Sequence, residues 1–508
     1  MWKNVVVGVA ALLASAPVQA AWHEARSKHF IVYGNEAAAE LKVFAEKLER
    51  FDAAVREARG VPDVKPGQST QVTLFVLKDI KTLQDVCGKD CEGVAGFYVP
   101  KAAGSVAFVP EETADRGKYG LKGESVFFHE YTHHLMLQDA DRPLPTWLSE
   151  GWAEFFANPE FKPDGSVVIG KPPLYRAEAL HTIDRLPLDK MVSGDYLYLT
   201  GPEYDSLYGR GWLLVHLLSF DLNRRGQIPK YLEEIERGVP ARQAAQTAFG
   251  DLKALDRELD RYFKRDVFTL ATIPATKLSP PPVTLRTLSA GEEQLIEAEI
   301  RLARGGKGVR PKELVGKARG VAAKFPDDVN VQLTLAQVEL AAGNAREANA
   351  AADRTLAGDP QSFDALLVKG RAMLSLAKES PATANWNAVR DLFLKANKMD
   401  SEAAEPLVLF YRTYVAQGIQ PTKNAVDGLI YSVALAPQDA QLRMELIGRL
   451  IDDNRLEDAR KALIPVAFSP HRGKWHDSAV AILHQLNARN KAQAKAKWQA
   501  AQKYFDEA

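Results

Sequence analysis

Between Ala37 and Ala58 the apolar residues Leu41, Phe44, Ala45, Leu48, Phe51 and Val55 recur every three or four positions, which predicts an amphipathic helix. Runs rich in β-branched and aromatic residues lie on either side. His29–Tyr33 (HFIVY) and Gln71–Leu77 (QVTLFVL) predict strands, and Gly96–Val99 with Ser105–Val109 around Pro100 and Gly104 predict a hairpin. Together they describe a small sheet-containing lobe. From Gly123 to about Phe268 the pattern becomes mostly helical. Pro274, Pro280, Pro281 and Pro282 then interrupt it, and three consecutive prolines favour extended backbone that no helix can cross.

Beyond the prolines the chain is rich in Ala and Leu and repeats itself. Pro326 and Pro360 stand 34 residues apart, as do Ala425 and Ala459. Ala336, Gly343 and Ala348 sit where small residues let two helices of a unit approach. Gly370, Gly418, Pro437 and Asn454 punctuate later units, with an insertion around Ser380-Pro381. The pattern resembles degenerate tetratricopeptide repeats, with a generic helical bundle as the alternative. The boundaries are then 1–20 for a leader, 21–275 for a first domain (sheet lobe 21–122, helical lobe 123–275), 276–290 for a proline-rich linker, and 291–508 for a repeat domain.

The leader is inferred from Lys3, the apolar run Val5–Ala14, Pro17, and small residues ending at Ala20. This reads as a secretory signal cleaved near Ala20, too short to span a bilayer. It places the protein in the periplasm, or outside the cell. No later segment is apolar enough to be a span. Lys+Arg and Asp+Glu are equal at 65 each, which gives no support to nucleic acid or an anionic membrane as partner. The two cysteines, Cys87 and Cys91, would close a short-loop disulfide in an oxidising compartment, with free thiols as the alternative.

The candidate chemistry lies in HEYTH, residues 129–133. His129 and His133 are four apart and project from one helical face, so both imidazoles can reach one ion. Glu130 is rotated off that face, where it can act on a water beside the metal. After Pro143 and Pro145 comes WLSEGWAEFF, residues 147–156, a second amphipathic helix. Glu150 is placed to return as third ligand, and Glu154, one turn on, to accept the outer N–H of a ligating histidine. Two histidines and a carboxylate favour zinc. His134 points off the ligand face. His181 and His216 are lone histidines, more often structural than catalytic.

HEYTH followed by WLSEGWAEFF resembles the gluzincin metallopeptidases, in particular the aminopeptidase N-like and peptidase MA-like groups. The resemblance implies an α+β fold: a thermolysin-like zincin domain, here followed by an all-α repeat domain similar to tetratricopeptide repeats. It implies one Zn2+ held by His129, His133 and Glu150, with Glu130 as general base. YGRGWLLVHLL, residues 208–218, is similar to the family's Y-x-K-G helix, whose tyrosine binds the oxyanion. That role falls on Tyr208, with Tyr204 as alternate. The interval from His133 to Glu150 is shorter than in the aminopeptidases, and their amine-capturing G-x-M-E-N strand has no counterpart. AGSVAFVP, residues 103–110, stands in its place and could pair as an edge strand with an extended peptide.

These expectations amount to an exported zinc peptidase, an endopeptidase rather than an aminopeptidase. It would act on a peptide or protein, with the repeats taking a protein partner. The rivals are a catalytically silent repeat scaffold and a zinc hydrolase of cell-wall amides.

Overall fold

A computed structural model describes residues 21–63, 65, 67–88, 94–111, 120–138, 144–177, 180, 185–194, 199, 201–306, 310–469 and 474–505. The expected leader and Cys91 lie outside them. Cys87 is disulfide-bonded, and Cys91 is the one other cysteine of the chain.

A six-stranded mixed sheet organises the first half. Its strands are β1 (His23–Arg26), β2 (Phe30–Gly34), β3 (Val72–Leu77), β4 (Phe97–Val99), β5 (Ser105–Pro110) and, from the far side of the helical lobe, a late strand at Thr284–Thr287. The order is β4-β5-β3-β2-β1 followed by that late strand. The central pairs β2–β3 and β3–β5 are parallel, with Phe30 opposite Val72 and Val72 opposite Ser105. The outer pairs are antiparallel.

Two expectations change here. Ser105–Pro110 is an interior strand, not an edge, because β3 pairs along one side of it and the short β4 along the other. The stretch expected as a proline-rich linker contributes a strand: Thr284–Thr287 pairs with β1, and Ser289 then caps the next helix through a reciprocal bond with Glu292.

One face of the sheet is covered by helix α1 (Ala38–Arg59), which buries Leu41, Leu48, Phe51 and Val55 against Phe30, Val32, Val72 and Leu74. The other face is covered by α2 (Ile80–Cys87), capped by Asp79, and by the helix Ala290–Arg304 that opens the repeats. The helical lobe begins with α3 (Gly123–Gln138) and α4 (Thr146–Phe156). Further helices are α5 (Leu188–Ser193), α6 (Gly201–Phe220), α7 (Gln227–Glu236), α8 (Ala241–Phe249) and α9 (Leu252–Phe263). Within this lobe a small antiparallel sheet, β6 (Glu160–Phe161), β7 (Val167–Ile169) and β8 (Ala271–Ile273), stands where the sequence pattern predicts mostly helix. Thr284–Thr287 is accordingly β9.

From α10 (Ala290–Arg304) onward consecutive helices pair and stack: α11 (Pro311–Lys324), α12 (Val329–Ala341), α13 (Ala345–Gly358), α14 (Phe363–Glu379), α15 (Trp386–Met399), α16 (Ala404–Gln417), α17 (Lys423–Leu435), α18 (Ala440–Asp452), α19 (Leu456–Ala467), α20 (His476–Asn487) and α21 (Lys491–Ala501). The N-caps Asp328 and Ser362 fall one 34-residue period apart, the sequence spacing of Pro326 and Pro360. Three successive apolar cores run through the stack, so this is a helical-repeat region. No helix among the described residues is long and apolar enough to cross a membrane.

The repeats fold back onto the sheet lobe. Ala404 N donates to Ser69 Oγ at 2.7 Å, Gln68 N to Asp400 at 2.9 Å, and Ala102 N to Asp439 at 2.9 Å.

Candidate metal centre

Helix α3 is buried on most of its circumference. Phe127, Phe128, Tyr131 and Leu135 insert into the core beside Phe30 and Phe51. Its remaining face turns His129 and His133 towards α4. Helix α4 crosses α6 very closely. A Cβ on Gly151 would stand 2.5 Å from the Gly211 carbonyl oxygen, and one on Gly211 would stand 2.8 Å from that of Trp147. Only glycine at both positions permits that approach, which carries Glu150 and Tyr208 to the same side.

The three expected ligands converge. Nε2 of His129 and Nε2 of His133 are 3.2 Å apart, and Glu150 Oε2 lies 3.1 Å and 3.5 Å from them. Donors about 2.0–2.1 Å from a tetrahedral ion stand about 3.4 Å from one another. The observed separations fit that requirement, and these three residues form a buried group able to hold a cation. Burial alone would lower the His129 pKa, but the carboxylates of Glu150, Glu154 and Glu130 carry it upwards.

The outer contacts differ in part from expectation. Glu154 Oε1 is 3.7 Å from His129 Nδ1, beyond hydrogen-bond reach. Its carboxylate instead accepts from Tyr175 Oη at 2.6 Å and Arg176 Nε at 3.0 Å. Arg176 draws it aside, because a buried carboxylate needs a counter-charge. His133 Nδ1 has Ser149 Oγ at 3.2 Å, a partner the sequence reading passed over although it adjoins Glu150.

Glu130 lines a cavity of about 1050 Å³ with His133 and Ser149. The Tyr208 ring stacks on His129 with centroids 5.8 Å apart, and the Arg176 guanidinium lies over the same tyrosine ring, 4.6 Å from its centre. Burial, then the field of Glu150, pushes the Tyr208 hydroxyl far above the usual phenol range, so it stays protonated. Tyr204 packs against the hydrophobic core one turn earlier.

His134 is stacked on Tyr131, with Tyr98 Oη at 2.8 Å from its Nδ1. Burial holds it neutral, down to about 3. His216 is a core residue: Tyr262 Oη and the Thr269 carbonyl occupy its two nitrogens at 2.8 and 2.9 Å. His181 lies outside the described residues.

A second buried group, His29, Glu49 and Asp52, has similar composition. Here the charges are already matched. Arg56 Nε bonds both Asp52 oxygens at 2.9 Å, Tyr131 Oη donates to Asp52 at 2.8 Å, and His29 bridges Glu49 at 2.7 Å and Asp63 at 3.0 Å. An ion there would have to displace Arg56, so the group is a brace. Through Tyr131 it fixes the rotation of α3, and with it His129 and His133.

No family profile matches the chain, and no curated protein matches it. Among solved structures, a thermophilic TPR protein of Thermus thermophilus aligns with 40% of this chain and 98% of its own, at 16% identity and a TM-score of 0.32.

Proposed function

We propose that this protein is a zinc-dependent hydrolase of peptide bonds, built on a thermolysin-like zincin domain of gluzincin type. The observation that carries the reading is the donor triangle of His129, His133 and Glu150, whose sides of 3.1–3.5 Å suit one tetrahedral ion. When bound there, zinc would acidify water and polarise the scissile carbonyl.

The chain's own residues supply the rest. Glu130, beside His133 in the cavity wall, takes the proton of the attacking water and returns it to the leaving amine. Tyr208, kept protonated by burial, donates to the developing oxyanion. The outer edge of β4, a sheet edge among the described residues, also lines the cavity and would pair with an extended peptide. That arrangement suits cleavage within a chain better than capture of a free terminus. Export to the periplasm rests on the leader sequence alone.

The test is turnover of a quenched-fluorescent peptide library by zinc-loaded protein and by Glu130→Gln. The reading expects cleavage by the first and a loss of about 10²–10⁴-fold in the second, at equal zinc content. Equal turnover by both proteins would overturn it. A silent scaffold expects no cleavage by either; a hydrolase of cell-wall amides expects activity on those crosslinks only.

A further inference from the structure

The cavity beside Glu130 and His133 is walled on its far side by the repeats: Arg371 of α14, Arg412 of α16 and Arg443 of α18 line it, with Lys101 and Arg304 from the rim. Lys101 lies near Arg304 and Arg371, and Arg371 near Arg412. Arg443 Nε donates to the Pro437 carbonyl. Arg371 pairs with Glu405, and Arg412 with Glu445 at 2.7 Å. Lys101 and Arg304 bond to backbone carbonyls, those of Ala303 for Lys101 and of Gly305 and Cys87 for Arg304. Glu130, Glu405 and Asp439 line the cavity as well, and Asp439 accepts from the Ala102 and Leu442 amides.

Positive charge so arranged is repulsive. Burial, and then the fields of Arg371 and Arg304, press the Lys101 ammonium down to about 8. Like charges lining a space of ligand size are stabilised by an anion that enters it.

We propose that this cavity is a substrate chamber whose cationic lining selects polypeptides bearing clustered acidic side chains, with Lys101, on the loop between β4 and β5, as the principal contact. The inference rests on the peptidase reading and names its substrate class. A peptide is the anion that also uses the β4 edge and the catalytic groups in the same cavity. The repeats are then part of the substrate site, and the two halves of the chain act as one enzyme.

The test is calorimetric titration of full-length, zinc-loaded Glu130→Gln protein with hexaglutamate, hexaglutamine and hexalysine, followed by Lys101→Gln and Lys101→Arg in the same background. Hexaglutamate should bind about tenfold or more tightly than hexaglutamine, and more weakly as salt rises. Lys101→Gln should remove most of that preference and Lys101→Arg should keep it. Lys81→Gln, on the exposed face of α2, should change nothing. If Lys101→Gln does not fold, amine acylation of the unmodified side chain gives the readout. Hexaglutamate should protect Lys101 there, and hexaglutamine should not.

Equal affinity for the acidic and neutral peptides overturns the proposal, as does tripolyphosphate binding without hexaglutamate binding. Charge-selective binding without turnover by the unmodified enzyme supports the chamber while removing the hydrolase. Turnover with no preference for acidic sequences removes the chamber alone.

Discussion

Tyr208 and Tyr204 differ by one helical turn, and the turn decides what each can do. Tyr208 stacks on His129 and has the Arg176 guanidinium over its ring, whereas Tyr204 packs against the core. Replacing Tyr208 by Phe removes the donor and keeps the stacking. We expect kcat on a peptide substrate to fall about 10²–10³-fold with KM nearly unchanged and the same melting temperature. A fall in melting temperature with kcat intact would make Tyr208 structural. His29 tests the brace. Burial alone would lower its pKa, but Glu49, Asp52 and Asp63 raise it above the ordinary value. Its contribution to stability is therefore fully present below about pH 6.5, the unfolded value, and is lost as pH rises through the folded one. The melting-temperature gap between wild type and His29→Gln should narrow from pH 6 to pH 9. A gap that widens with pH would contradict the network. HEYTH was legible because helical spacing alone puts His129 and His133 on one face. Arg176 was not, since nothing in local sequence says it will capture Glu154.

At the scale of elements, α4 and α6 set the site by how closely they cross. Gly151→Ala puts a methyl carbon 2.5 Å from the Gly211 carbonyl oxygen, so the helices must part. The expected cost is about 1–3 kcal/mol in thermal unfolding, with weakened zinc affinity because Glu150 moves with its helix. Unchanged affinity in a destabilised Gly151→Ala protein would show that the crossing does not position the ligand. Long periodic elements could be read from sequence: α1 and the repeat helices carry their apolar stripe over three turns or more. Short ones could not. Thr284–Thr287, exposed along its length, becomes a strand because β1 offers it an edge. Ser105–Pro110 pairs with β4 in the hairpin that Gly96–Val99 and Ser105–Val109 predict, and what makes it interior is β3, parallel along its other side, a pairing over distance that leaves no local signature.

At the scale of the whole molecule, the sheet lobe, the helical lobe and the repeats close on one another. Helix α10 covers a sheet face, and Ser69, Gln68 and Ala102 bond into the turns before α16 and α18. Sequence showed the two halves and the break between them, but not that the second half faces the candidate metal centre across one cavity. That centre decides the rest. The direct test is zinc stoichiometry by elemental analysis of full-length protein after dialysis, beside Glu150→Ala and His133→Ala, each checked for native circular dichroism. We expect one zinc per chain in the wild type and almost none in either variant. Full zinc content in folded Glu150→Ala protein would contradict the account.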